Sequence, residues 1–356
     1  MTKIFKRALP LLLAITLLTG CGQTGNPSEA GTGSETAQSG VGAEEDLDTA
    51  SGLDFEGAEN EAYVEEVDMG EVELAEEIIA LSSGSAAVMK KVKPVASGTK
   101  VAKQQKATID YSNTTDGYFM VKYTATTSKR LRVKVTGPQS EYIHDIKAGQ
   151  WETFTLADGN GSYTVKVYEN TTGSKYAVVC TATFTAKLKD EFGPFLYSNQ
   201  YVNYEDAKNT VAQAEKLAGK QKDAMKKVEA VYNYVVKNLK YDNAFADAVR
   251  RGEKNGYMPD LDSVLKSKKG VCFDYAALMA GMLRSQGVPC KLVMGYASNS
   301  EYHAWINVYS EKDGWINGAV RFNGKKWMLM DPTWASGNNN IKYQAKAQSY
   351  QATSIY

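Results

Sequence analysis

Histidine and cysteine are scarce in this chain, whose 356 residues include two His and four Cys. No pair of them has the short spacing typical of a metal site, so the sequence predicts no metal and no cofactor. Hydrophobic residues make up 43% and charged residues 23%, as in ordinary soluble proteins, and the length suits two domains. Nothing in the pattern predicts a nucleic-acid partner.

The first apolar run, ALPLLLAITLLTG, is too short for a comfortable membrane span and follows Lys3, Lys6 and Arg7, as in a secretory signal. It ends in LTGC, which resembles the lipobox of bacterial lipoproteins. The resemblance implies cleavage before Cys21 and lipidation of its thiol; a plain signal cleaved near Gly20 is the alternative. Acyl chains would anchor the protein stably at the extracytoplasmic face of the cell membrane.

Residues 22–89 lack Lys and Arg altogether and carry 17 Asp or Glu, so a net charge of zero conceals a split. Residues 90–356 carry 38 basic and 24 acidic side chains. The acidic part is predicted to be a solvated, self-repelling tether, and residues 22–60 are expected to be disordered. The other interpretation is that the tether lies against the basic body and screens its charge.

Four segments are predicted: a lipoprotein signal peptide at 1–20, a tether with a basic loop at 21–106, an all-β domain at 107–190 and an α+β domain at 191–356. Seven short runs of Val, Thr, Tyr and Phe between turn residues give the all-β domain an Ig-like strand count. In the α+β domain, helical patterns come first, then a polar loop at 242–260, and then successive strands. The polar tail after Trp334 is expected to complete a sheet edge.

Cys272 follows a glycine turn in KKGVC and precedes a run of small and apolar residues that predicts a helix ending at Gly287. In the first turn of a helix, the unpaired amides and the dipole favour a thiolate over a thiol. Lys268 and Lys269 would act in the same direction unless they face solvent. Position alone makes Cys272 a possible nucleophile.

His303 starts the alternating run HAWINVY, where a strand would hold an imidazole rigidly, whereas His144 is expected on a surface strand of the β domain. A thiolate nucleophile needs such a base, and the base needs an acceptor to fix its tautomer. Asp331, at the end of a hydrophobic strand in MLMDPTW, is a suitable third group. The sequence therefore predicts a Cys-His-Asp constellation.

The motifs GVCFDYAALMAGMLRSQGVPCKLVMGY, YHAWINVY and WMLMDPTW resemble the three core motifs of the transglutaminase-like superfamily, over about residues 208–334. The resemblance implies a papain-like α+β fold, with Cys272 as nucleophile, His303 as general base and acid, and Asp331 as the orienting group. It does not imply calcium dependence, because no acidic cluster resembles the calcium sites of animal transglutaminases. The context of Cys272 also differs from the papain signature.

Tyr241, in NLKYDN, resembles the segment before the nucleophile in bacterial members and is the candidate oxyanion donor; otherwise it is a core aromatic. Asp274 is expected to serve the helix N-terminus rather than catalysis. Trp305 and Trp334 either line a cleft or pack.

The other cysteines, Cys180 and Cys290, are expected to be buried in strands. An extracellular setting permits disulfides, so pairing of Cys290 with Cys180 or with Cys272 stays open. The second pairing is disfavoured, since about 15 helical residues rise about 22 Å.

These features predict a membrane-tethered, extracytoplasmic cysteine hydrolase or acyltransferase that acts on peptides or proteins of the cell surface or cell wall through a thioester. The alternative is a catalytically inactive binding module of the same fold, and a weaker one makes the β domain the working part. The sequence indicates neither the oligomeric state nor whether water or an amine accepts the acyl group.

Overall fold

The computed structural model describes residues 42–47, 93–104, 106–254, 256–296, 302–310, 314–317, 320–322, 327–329, 333 and 351–356. Of the predicted features, the signal peptide with Cys21, together with Asp331 and Trp334, lies outside these residues. No helix in the described ranges is long and apolar enough to cross a membrane.

The β-rich part consists of two sheets that face each other across one apolar core. One sheet has the order β1-β9-β8-β5-β6 and the other β2-β3-β4-β7, with antiparallel pairing between the neighbouring strands. Alternate residues such as Phe119, Val133 and Val167 point into the core between them. The strands are β1 (Glu44–Asp46), β2 (Val101–Gln104), β3 (Ala107–Asp110), β4 (Tyr118–Tyr123), β5 (Leu131–Thr136), β6 (Glu141–Ile146), β7 (Trp151–Thr155), β8 (Gly161–Thr172) and β9 (Lys175–Ala186).

The seven runs predicted as strands correspond to β3 through β9, so their type is confirmed. Strand β2 precedes the predicted domain boundary at residue 107 and pairs with β3. The expectation of disorder for residues 22–60 is wrong for residues 42–47, because β1 pairs with the edge strand β9. The Ig-like assignment itself stays a prediction.

The α+β part places helices against one face of a sheet of order β14-β13-β12-β17. Its helices are α1 (Lys208–Ala218), α2 (Ala224–Asn238), α3 (Asn243–Arg250), α4 (Leu261–Ser267) and α5 (Cys272–Ser285). Its strands are β10 (Lys240–Tyr241), β11 (Lys269–Gly270), β12 (Cys290–Tyr296), β13 (Tyr302–Ser310), β14 (Gly314–Asn317), β15 (Val320–Phe322), β16 (Trp327–Leu329) and β17 (Gln351–Ile355). The tail completes the sheet edge as predicted, because β17 pairs with β12.

Helix α5 is the centre of this part, with every residue from Phe273 to Ser285 buried. Its run of Ala, Gly, Leu and Met lets α1, α2 and α4 pack on one side and the sheet on the other. Near its end, Arg284 is 1% exposed and donates to the backbone carbonyls of Tyr197 (2.9 Å), Cys290 (2.8 Å) and Tyr356 (2.6 Å). These bonds satisfy the buried guanidinium and fix α5 relative to β12 and the tail.

The polar loop predicted at 242–260 contains helix α3, which is a correction. The Asp242 carboxylate caps this helix by accepting from the Phe245 amide at 3.0 Å. Ala246 and Ala248 are buried on its inner face. The helix is eight residues long, so its apolar positions cover little more than two turns and give a short signal in the sequence.

The expected surface position of His144 is also wrong, since its side chain is buried where the β sheets meet the α+β part. Its Nδ1 lies 2.8 Å from the hydroxyl of Tyr201. The rings of Phe154 and Tyr356 lie edge-on to the imidazole, with centroids 5.3 and 5.7 Å away. Burial lowers the pKa of His144 from 6.5 to about 4, although Asp145 acts in the opposite direction.

Candidate active site

Cys272 is the first residue of α5, as the sequence predicts, and is partly exposed. The chain reaches it through Gly270, where a Cβ atom would lie 2.5 Å from the Asp274 Cβ, so only glycine fits at this approach. Lys268 and Lys269 on the preceding turn are exposed and face solvent. The thiol therefore sits at the positive end of a buried helix and remains open to small molecules.

The N-terminus of α5 is held by Asp274, which confirms its predicted structural role. Its Oδ2 accepts from the Val271 amide at 2.8 Å, and its Oδ1 accepts from the Tyr257 hydroxyl at 2.6 Å. Burial raises the pKa of the Asp274 carboxyl, while these two hydrogen bonds act in the opposite direction. The carboxylate thus fixes both the helix start and one wall residue of the adjoining pocket.

Cys272 opens onto a pocket of about 60 Å³. The lining is largely apolar and aromatic, with two exposed cations, and consists of Tyr241, Ala246, Val249, Arg250, Lys254, Tyr257, Val271, Cys272, Phe273 and Tyr302. Tyr241 reaches it from β10, which pairs in parallel with β11 just before the nucleophile. The structure therefore brings the predicted nucleophile and the predicted oxyanion donor to one cavity.

His303 is the second residue of β13, the strand that packs beside α5 in the common core. It pairs with Gly295 of β12 and is 5% exposed. Its neighbour Tyr302 lines the pocket, whereas His303 is not itself among the lining residues. His303 thus directly follows a pocket-lining residue on a rigid strand, and the side chains of successive strand residues point to opposite faces of the sheet.

Trp305 is a packing residue, which decides one of the alternatives left open by the sequence. It is 3% exposed, and its ring lies parallel to that of His303 with centroids 6.5 Å apart. The other cleft candidate, Trp334, and the third triad candidate, Asp331, lie outside the described residues.

The three described cysteines, Cys180, Cys272 and Cys290, are free, so neither disulfide left open by the sequence is formed. Cys180 and Cys290 are buried in strands, as predicted. Burial raises the pKa of their thiols, to about 11 for Cys180 and about 12 for Cys290. Within the described ranges, Cys272 is therefore the cysteine with access to a substrate.

A larger cleft of about 730 Å³ lies between the β sheets and the helical part, away from Cys272. Its lining includes six carboxylates and two lysines, and contains neither a cysteine nor a histidine. Size alone would favour this cleft as the active site. The chemistry favours the smaller pocket, because the accessible nucleophile is there.

Sequence reasoning missed the aromatic and cationic walls of the small pocket. Tyr257 and Lys254 lie just after α3, in the segment predicted to be a loop. Tyr302, the residue before His303, was not predicted to belong to the site. The capping signal of Asp242 before Asn243 could have located α3 and with it this wall.

Comparison with known proteins finds that part of this chain is similar to one protein superfamily. A family model described as the transglutaminase-like superfamily matches residues 211–332. Kyphoscoliosis peptidase of mouse is 30% identical over 113 residues, which are 32% of this chain and 16% of that protein. The uncharacterized protein YebA of Bacillus subtilis is 24% identical over 150 residues, which are 36% of this chain and 20% of that protein.

The chain therefore spans a fifth or less of the length of these curated relatives. Among solved structures, a candidate cysteine protease from Cytophaga hutchinsonii is 16% identical, with a TM-score of 0.34. The match covers 72% of this chain and 78% of that one.

Proposed function

We propose that the chain is a cysteine acyl-transfer enzyme with Cys272 as its nucleophile, because residues 211–332 match the transglutaminase-like superfamily model and combine helices with sheets. The observation that carries this proposal is the position of Cys272, part-exposed at the first residue of α5 and open to a pocket. A cysteine retained only for packing has no need of this position, as buried Cys290 illustrates.

In the proposed reaction the Cys272 sulfur attacks an amide carbonyl, and its proton passes to His303. The tetrahedral intermediate collapses with loss of the amine, which takes the proton from His303, and a thioester remains. Water or a second amine then attacks the thioester carbonyl, which regenerates the thiol and releases an acid or a new amide. Asp331 would orient the imidazole and stabilise its cationic form.

The walls of the pocket suit a neutral or acidic acyl donor. Its lining is mostly apolar and aromatic, and the charged side chains in it, Arg250 and Lys254, are both cationic. We propose that the donors are amides of peptides or proteins at the cell surface or cell wall. This location follows from the proposed lipid anchor at Cys21 and is independent of the proposed chemistry.

The proposed reaction is tested by incubating the protein with glutamine-, amide- and peptide-bearing substrates, with and without a primary amine. Ammonia or peptide release that needs no amine indicates hydrolysis, and incorporation of the amine into the substrate indicates cross-linking. If no substrate is turned over while a peptide still binds, the inactive binding module becomes the better interpretation. Membrane extraction of wild type and Cys21→Ala tests the anchor separately, because the unlipidated variant should be released.

We expect Tyr241→Phe to lower kcat/KM by about 10²-fold while leaving the rate of Cys272 alkylation unchanged. An oxyanion donor acts only on the tetrahedral intermediate, and loss of one donor typically costs 10²–10³-fold. Alkylation by iodoacetamide forms no oxyanion, so it reports whether the pocket and thiol are intact. Tyr302→Phe removes a hydroxyl from the same pocket and is the matched control. Equal losses in both variants would contradict an oxyanion role for Tyr241.

A further inference from the structure

A piece of the acidic tether is a strand of the first sheet. Residues 42–47, with the sequence GAEEDL, run antiparallel to the edge strand β9. The Gly42 amide donates to the Val178 carbonyl at 3.2 Å, and the Val178 amide donates to the Ala43 carbonyl at 3.1 Å. The Leu47 amide donates to the Ser174 carbonyl at 3.2 Å. The backbone of the segment is thus paired along its whole described length.

Both oxygens of the Glu45 carboxylate are bound by side chains of β8. Lys166 Nζ lies 2.7 Å from Oε1, and the Tyr168 hydroxyl donates to Oε2 at 2.8 Å. The hydroxyl of Ser174 donates to Asp46 Oδ2 at 3.0 Å. Charge and hydroxyl donors on the sheet therefore match the acidic side chains of the segment.

Leu47 is the apolar anchor of the segment and is 3% exposed. It packs in a separate small cluster with Ile143, Tyr168, Tyr176 and Val178 on the outside of the sheet. The leucine therefore covers part of a cluster of large apolar side chains.

The carbonyl of Leu47 accepts from the guanidinium of Arg132, which is 1% exposed and lies over the Tyr176 ring, 5.0 Å from its centroid. A buried cation is costly unless it is paired, and its ion pair with Asp145 occupies a different nitrogen. The carbonyl of the docked segment therefore completes the environment of a buried charge.

From these contacts we propose that the outer edge of β9 is a binding site for a short acidic strand with a leucine two residues after a glutamate. In the free protein the site holds residues 42–47 of the same chain. Addition of an extended segment to a sheet edge is a general mode of peptide recognition, with backbone bonds giving affinity and alternate side chains giving specificity. The tether is then bound to the β sheet through residues 42–47.

Binding of residues 42–47 to β9 of the same chain is sterically easy, and it shortens the distance that the tether can span. The 45 residues between Leu47 and Lys93 can span any distance on a domain of this size, and the local concentration of a linked segment is high. If Cys21 is lipidated, as proposed above, the free length from the membrane falls from about 70 residues to about 20. Fully extended, these lengths correspond to about 240 Å and about 70 Å.

The proposal is tested on the full-length chain by Leu47→Asp, which places a charge in the anchor cluster. Amide hydrogen exchange at Val178 should become at least tenfold faster, because its acceptor Ala43 departs with the strand. Exchange at Val165, inside the sheet, should stay unchanged. Leu53→Asp makes the same change elsewhere in the tether and should leave exchange at Val178 at the wild-type rate.

The charge contacts are tested by reversal. Glu45→Lys and Lys166→Glu should each accelerate exchange at Val178, and the double variant should restore it most of the way to the wild-type rate. If exchange stays fast in the double variant, a restored ion pair does not hold the strand, and the specificity assigned to this pair is overturned.

Binding in trans gives an independent readout. A fluorescent peptide with the sequence of residues 41–49 should bind the full-length Leu47→Asp protein, whose site is vacated, at least tenfold more tightly than wild type, whose site is filled. A peptide carrying aspartate in place of the leucine should not bind. Equal binding to both proteins, or to neither, would overturn the proposal, and so would a wild-type dimer that Leu47→Asp converts to monomer. None of these readouts depends on catalysis or on lipidation.

Discussion

Cys272→Ala is expected to lower kcat/KM for any amide substrate by at least about 10⁴-fold, because the covalent route through the thioester is lost. Alanine keeps the helix start, since Cys272 makes no capping bond there, but it removes the only atom that can form the thioester. The same variant should lose iodoacetamide labelling at neutral pH. Activity is measured with the substrate found in the amine-partition assay, and labelling by mass spectrometry of the intact protein.

His303→Ala is expected to cost as much as Cys272→Ala, and the double variant no more than either single one. Because the nucleophile and the base act as one unit, removal of either one abolishes their joint contribution to the rate, and removal of the other causes no further loss. Strictly additive losses would mean that His303 acts apart from the thiol. This result would be informative, because Tyr302 rather than His303 lines the pocket.

Cys290→Ala is the matched control for the nucleophile. Its thiol is fully buried, and burial raises its pKa to about 12, so it should be neither labelled nor needed for turnover. The expected result is wild-type kcat/KM and a wild-type extent of labelling. Loss of labelling in this variant, with retention in Cys272→Ala, would contradict the assignment of the nucleophile.

The parts of the fold that the sequence predicts correctly are those with strong local signals. Helix α5 has an apolar run, a Gly turn before Cys272 and a stop at Gly287, and it begins and ends where these signals indicate. The strands β3 to β9 alternate apolar and polar residues between turns, and each is present. Asp274 is identified as a helix cap by its spacing alone.

The parts that the sequence does not predict depend on partners distant in the chain. Residues 42–47 are acidic and locally featureless, and only the edge of β9, more than 120 residues away, makes them a strand. His144 lies on a strand with polar neighbours, and contacts with Tyr201, Tyr356 and Phe154, all distant in the chain or on another strand, bury it. The wall formed by Tyr257 and Tyr302 likewise exists only after α3 packs near β13.

The burial of His144 gives the second large prediction, a loss of stability in acid. In the folded protein the pKa of His144 is about 4, because burial disfavours the imidazolium, whereas in the unfolded chain it is near 6.5. Between these values the unfolded state binds a proton that the folded state does not. The free energy of unfolding should therefore be unaffected by this group above pH 6.5 and fall as the pH is lowered towards 4. The total loss is about 3 kcal/mol.

His144→Gln isolates this effect, since glutamine can still hydrogen-bond the Tyr201 hydroxyl and does not titrate. The free energy of unfolding is measured in urea at intervals from pH 7.5 to pH 4. Over this range it should fall by about 3 kcal/mol more in wild type than in the variant. Tyr201→Phe removes the hydrogen bond but keeps the titrating imidazole, so the loss of stability towards pH 4 should persist in this variant. Parallel curves for wild type and His144→Gln would show that the imidazole is not buried in its neutral form.

The same contact links the β sheets to the nucleophile. Tyr201 receives His144 on one side and packs on Phe273 on the other, with ring centroids 5.9 Å apart. Phe273 is the residue after Cys272, so a charge on His144 would disturb the packing that holds the start of α5. Alkylation of Cys272 should therefore respond to the pH step from 6 to 4.5 differently in wild type and His144→Gln. A β domain that only spaces the enzyme from its tether would leave the two responses alike.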